Sequence, residues 1–240
     1  MKIPSTIKKS EPPKDIVLQS EDSNPILRIT LQDNTNHELE PYMKSIYFSE
    51  SAYQDYYTFR ALYLTGNQFF IISKLVKTAG DCIEKLLKLF LLSYNPNIDV
   101  KNFSHSLNKL RETCEGIDNY YQNPILKTFC NEYSQKIKGV NGHQIFGYSD
   151  TSVINRIEVD WLKILNLLDE TYLETLIRMN NYEGLNSSDI FAIYLNRGTA
   201  ISRYKEIFND VRNIFFSKNE YIDDFYRKNK KIIEKHTIPL

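Results

Sequence analysis

Ile72, Leu75, Val76, Ala79, Ile83, Leu86, Leu87 and Phe90 recur at i, i+3, i+4 spacing. Residues at that period lie on one stripe of an α-helix. A stripe sustained over about six turns is too long for a strand, and it has to be covered by other elements. It predicts a long helix that begins near Asn67 and is stopped at Pro96 in SYNPNID.

The same period recurs along most of the chain from Pro41. Tyr53, Tyr56, Tyr57, Arg60, Ala61 and Leu64 form a face that Gly66 ends. Leu107, Leu110, Cys114 and Ile117 predict a third helix. Asn123 before Pro124 is an N-cap followed by proline at the first helical position, with Ile125, Phe129, Cys130, Tyr133 and Ile137 behind it. GVNGHQIFGYSD holds three of the eight glycines and reads as a loop or short hairpin. A fifth helix runs from about Glu158, with Trp161, Leu165, Leu168, Tyr172, Leu176 and Met179 on one face. GLNSSD is a second break, and Ser187 or Ser188 can cap the next helix. Ile201, Tyr204, Phe208, Val211 and Phe215 define another helix, and Tyr221 to Ile233 a last one. The expected fold is all-α, a bundle of six to eight helices over residues 41–240.

Residues 1–40 differ. Pro12, Pro13 and Pro25 break helices, and Leu27, Ile29 and Leu31 alternate with polar residues at the period of a strand. The segment reads as an extended, partly disordered arm with one short strand or hairpin.

Bulk properties exclude several classes. Lys+Arg and Asp+Glu are both 30, so the formal net charge is zero and nucleic-acid binding requires a local patch. No apolar run approaches the roughly 20 residues of a membrane span. The three cysteines lack CxxC spacing and read as buried, reduced thiols of a cytoplasmic protein. Phosphate-loop, dinucleotide, nucleophile-elbow and HExxH motifs are absent from the sequence. The four histidines, His37, His105, His143 and His236, stand far apart, so no metal or cofactor is expected.

Three groups carry possible chemistry. Glu170 and Glu174 lie one turn apart beside Asp169, but Glu174 also pairs at i,i+4 with Arg178, and a solvated helix face is the preferred reading. FYRKNKKIIEKH collects Arg227, Lys228, Lys230, Lys231 and Lys235 against one Glu, interleaved with aromatics. Of these, Arg227, Lys228, Lys230 and Lys231 are the candidate RNA-binding residues, the alternative being the charged face of a terminal helix. His105 follows Ser104 at the start of the third helix, where either residue is expected to satisfy free backbone N–H groups.

DCIEKLLKLFLL, then a polar loop, then HSLNKL resembles the HEPN domains (higher eukaryotes and prokaryotes nucleotide-binding). Glu84, Lys85 and Lys88 match a Glu-Lys-x-x-Lys-like signature on a long helix, and His105 and Leu107 match a His-x-Leu at the start of the next. The likeness spans about residues 50–117 and is otherwise one of helical content. It implies an all-α bundle and, for active members, a metal-independent ribonuclease site shared by two copies in a dimer. Such proteins serve toxin–antitoxin, abortive-infection and CRISPR systems. The family's motif is Arg, then Asn, Asp or His, with His four to six residues beyond. Arg neutralises the phosphate and His moves protons. In VRNIFFSKNEY, Arg212 and Asn213 match the first two positions, but Ser217, Lys218 and Asn219 fill the histidine slots.

The preferred expectation is a HEPN-like protein without catalysis, a binding or regulatory component of a prokaryotic defence or toxin–antitoxin module, dimeric or bound to a partner protein or RNA. One alternative is a ribonuclease using Arg212 and Asn213 with a histidine supplied by the fold. Another is an unrelated helical interaction domain that uses the tyrosines of the first helix.

Overall fold

The computed structural model describes residues 16–19, 25–29, 41–66, 71–136, 142–147 and 158–179, together with positions 221, 224, 227 and 228. The helices expected around residues 187–215 lie outside the described residues, as do Arg212, Asn213, Lys230 and Lys231. The chain divides into two compact units, Met1–Glu40 and Pro41–Leu240.

The first unit contains an antiparallel hairpin of β1 (Ile16–Gln19) and β2 (Pro25–Ile29). Ile16 pairs with Ile29, Val17 with Arg28 and Leu18 with Leu27, and the register shifts between Leu18 and Gln19.

The second unit is an all-α bundle. Its described helices are α1 (Pro41–Leu64), α2 (Ile72–Tyr94), α3 (Leu107–Glu115), α4 (Pro124–Ser134), α5 (Gly142–Gly147) and α6 (Trp161–Met179). The hub is α2, which packs against α1, α3, α5 and α6. Every residue from Leu86 to Ser93 is buried, so the second half of α2 is covered on all sides. The six-turn stripe explains this placement: Leu75, Val76, Ala79, Ile83, Leu86, Leu87 and Phe90 are all in the core, each large side chain contributing about 1.5–3 kcal/mol of transfer free energy.

The neighbours follow their patterns with informative departures. Among the described residues of α1 the buried ones are Ser49, Ala52, Tyr56, Phe59 and Arg60, while Tyr53, Tyr57, Ala61 and Leu64 are half-buried. The stripe is thus rotated from the tyrosine-led face. On α4, Asn123 Oδ1 accepts from Ile125 N at 2.9 Å and Leu126 N at 3.2 Å. This is the Asn-Pro start that the sequence signals. Leu126 is buried and Ile125 exposed. GVNGHQIFGYSD is not simply a loop: it includes the helical turn α5, whose Ile145 is buried. One apolar anchor outweighs the glycines there. The α6 stripe holds Leu165, Leu168, Tyr172, Leu176 and Met179 in the core, with Leu167 and Leu173 added.

Cys82, Cys114 and Cys130 are buried free thiols. Burial pushes the Cys130 thiol up to about 12 and the other two upward as well, so none is a ready nucleophile. Among the described residues, no helix is long and apolar enough to cross a membrane.

Candidate functional site

The α2–α3 junction gathers the residues that carried the family resemblance. After α2 stops, Asp99 Oδ1 accepts from Lys101 N at 3.1 Å and starts the short 3-10 turn Val100–Phe103. Ser104 closes that turn with φ 49°. With ψ −125° it lies in a sparsely populated region that costs a non-glycine residue on the order of 1–3 kcal/mol, and the turn sets the direction of two groups. The Ser104 carbonyl accepts from Lys88 Nζ at 3.0 Å. His105 lies against Glu84, with Nδ1 3.0 Å from Oε2. The other Glu84 oxygen accepts from Lys88 Nζ at 2.6 Å. A carboxylate only accepts, so His105 Nδ1 carries the hydrogen.

Glu84 and Lys88 are 7% and 8% exposed, whereas the His105 side chain is 51% exposed. The Lys88 ammonium also stands 5.8 Å from the centre of the Phe48 ring on α1. Beside it, Lys85 Nζ reaches Asp55 Oδ2 of α1 at 2.5 Å. The junction is therefore a half-buried set of ionic groups with one imidazole facing outward. His105 does not cap α3. Ser106 holds the N-cap position without a side-chain bond, and the Asn108 N–H donates to Ser134 Oγ on α4 at 3.3 Å. The capping expectation fails because the positive φ at Ser104 turns His105 back toward α2.

The carboxylates of α6 do not form one solvated face. Glu174 does pair with Arg178, at 3.1 Å. Arg178 also donates to both oxygens of Asp118 and stacks on Tyr120 with 4.6 Å to the ring centre. Asp169 is 1% exposed. It accepts from Tyr56 Oη at 2.6 Å and from Arg60 Nη1 at 2.5 Å, and Tyr56 stacks on Tyr172 at 4.3 Å between ring centres. Burial pushes the Asp169 carboxyl above its ordinary range even against the Arg60 guanidinium. Asp169 ties α6 to α1, and its partner lies 109 positions earlier.

Glu170 accepts from Asn123 Nδ2 at 3.1 Å and is hydrogen-bonded to Tyr221. This bond joins Tyr221 to α6. Tyr221, Asp224, Arg227 and Lys228 are helical. Arg227 and Lys228 are exposed, and both pair with Asp224. The basic stretch therefore has a carboxylate three and four positions ahead of its first cations, a helical spacing that the sequence already displays.

The structure brings His105, Glu84 and Lys88 together. His143 lies in α5, while His37 and His236 fall outside the described residues. Among the described residues, no three His, Cys, Asp or Glu side chains form a group able to hold a metal ion. Neither a protein-family model, nor a curated protein, nor a solved structure matches the chain significantly.

Proposed function

We propose that this chain is a HEPN-like helical protein that acts by binding, as a regulatory or interaction component of a prokaryotic defence or toxin–antitoxin module, and does not cut RNA. The contact between Glu84 and His105 carries the reading. The two stretches behind the resemblance, 21 positions apart, share one carboxylate at a helix junction. That supports a common origin for them over chance amphipathic spacing.

The chemistry of the cluster favours binding over cleavage. Glu84 uses one oxygen on Lys88 and the other on His105, and Lys88 adds the Ser104 carbonyl. These charges largely satisfy one another. Arg60, Arg111 and Arg178 are bound to carboxylates elsewhere, on Asp169, Glu115, and the pair Asp118 and Glu174. Arg212 has Ser217, Lys218 and Asn219 where the family's histidine belongs. A serine hydroxyl does not act as a general base near neutral pH without an activating partner.

A second reading draws on the same contact. A half-exposed imidazole with its tautomer set by a carboxylate is what a general base requires. Incubation with total RNA separates the two. No cleavage above buffer is expected, and light scattering is expected to show a dimer. Cleavage that disappears in both His105→Ala and Arg212→Ala would replace the binding reading with a ribonuclease.

A further inference from the structure

The basic C-terminal segment meets its own anion. Asp224 sits one helical turn after Tyr221 and one turn before Arg227 and Lys228. Its Oδ1 faces Arg227 Nη2 and its Oδ2 faces Lys228 Nζ. One carboxylate thus spends each oxygen on a different cation, as the two non-bridging oxygens of a phosphodiester would. The Arg227 and Lys228 side chains remain 80% and 70% exposed. One turn before Asp224, Tyr221 is hydrogen-bonded to Glu170 of α6.

We propose that Asp224 is a built-in competitor for phosphate, holding Arg227 and Lys228 together until single-stranded RNA displaces it. The proposal rests on the reading of this chain as a binding protein. An anion of similar size that takes the two cations has to displace the Asp224 carboxylate first, so the carboxylate lowers affinity for it. Exposed ion pairs on a helix are weak, so exchange is open to a ligand with a dense line of charge and counterions to release. The Lys228 ammonium, and then the Arg227 guanidinium, hold the Asp224 carboxyl below its usual range. The competitor therefore stays charged at neutral and mildly acidic pH, and it sets affinity without acting as a pH switch.

The test uses the full chain and a fluorescein-labelled oligouridylate, read by anisotropy over a range of salt. Asp224→Asn is expected to bind roughly three- to five-fold tighter than wild type, with a steeper loss of affinity as salt rises. Arg227→Ala with Lys228→Ala in the same chain should abolish that gain. Glu132→Gln, on an exposed position of α4, makes the same change in net charge and should leave affinity unchanged. Equal gains from Asp224→Asn and Glu132→Gln would reduce the effect to net charge and overturn the proposal. So would an unchanged or weaker Asp224→Asn, or a failure of both wild type and Asp224→Asn to bind. The same mixtures run on a gel separate the two claims. Cut RNA overturns the binding reading, whereas intact RNA with equal affinities overturns only the competitor.

Discussion

The ring of Tyr133 on α4 fills the place that a side chain on Gly80 of α2 would need: a Cβ there would lie 2.6 Å from Oη and closer still to Cζ. Gly80 is in mid-helix, where glycine costs about 1 kcal/mol relative to alanine. The residue is explained by this approach of the two helices. Tyr133 cannot swing aside cheaply, because Phe129 and Phe146 stack near it at 5.8 and 6.3 Å. Gly80→Ala should gain the helix term and lose about 1–3 kcal/mol to overpacking, for a net loss of up to about 2 kcal/mol. A lower urea midpoint with an unchanged slope would show it.

The same ring supplies a second prediction of opposite sign. Tyr133 Oη is buried without a hydrogen-bond partner. A buried hydroxyl left unpaired carries its desolvation cost. Tyr133→Phe should leave stability unchanged or raise it by up to about 1 kcal/mol, and in the Gly80→Ala background it should recover part of the loss. A Tyr133→Phe variant less stable than wild type by calorimetry would contradict this packing.

The α2–α3 junction separates a structural carboxylate from an exposed imidazole. Lys88 is 8% exposed, and Glu84 is its charged partner. Glu84→Gln therefore leaves a mostly buried ammonium without its counter-charge. Removing one member of a buried pair costs about 3–5 kcal/mol, and the slight exposure here places the loss near the lower end. His105→Ala removes a half-exposed partner and should cost less than about 1 kcal/mol. Chemical denaturation of the two variants gives the comparison. Equal losses would mean that His105 is a core brace, which its exposure argues against.

The bundle was legible wherever one helix face alone decides burial. The α2 stripe and the Asn123–Pro124 start are local patterns, and both are present in the fold. What escaped depended on partners far away in sequence. Asp169 sits beside Glu170 on α6 and reads as one more surface acid. Only the fold shows that Arg60, 109 positions earlier, reaches it. On α1, six tyrosines drew the predicted face toward Tyr53 and Tyr57, while Ala52 and Phe59, less conspicuous in the pattern, enter the core beside Tyr56. For the candidate site, the residue types were visible but not their contacts. A positive φ at Ser104 has no composition signal of the kind that a glycine provides. That single dihedral makes His105 a neighbour of Glu84 and not a cap of α3.

Arg60 and Asp169 test how much α1 depends on one ion pair. Both are essentially unexposed, so Arg60→Met or Asp169→Leu alone leaves a charge in the core and should cost about 3–5 kcal/mol. The double replacement removes both charges and keeps apolar volume. It should cost clearly less than the sum of the two, with a coupling of about 1–3 kcal/mol. A double-mutant cycle by urea denaturation measures the coupling, and additive losses would rule out a direct pairing.

Glu170 predicts an inverted pH response. Burial, then repulsion from Glu174, raises its carboxyl above the ordinary value of 4.5, against the bonds from Tyr221 and Asn123. The folded chain therefore holds this proton more tightly than the unfolded chain does. The group favours folding most below pH 4.5, and that contribution is lost as pH rises through the folded value. Glu170→Gln keeps an acceptor for Asn123 Nδ2 and for Tyr221 Oη but removes the buried charge. It should be more stable than wild type at neutral pH, with the advantage fading as pH falls through the carboxylate range. Thermal unfolding across that range decides it. A variant weaker than wild type at neutral pH would show that the carboxylate's hydrogen bonds to Asn123 and Tyr221 outweigh its burial, and that the C-terminal segment is held by charge.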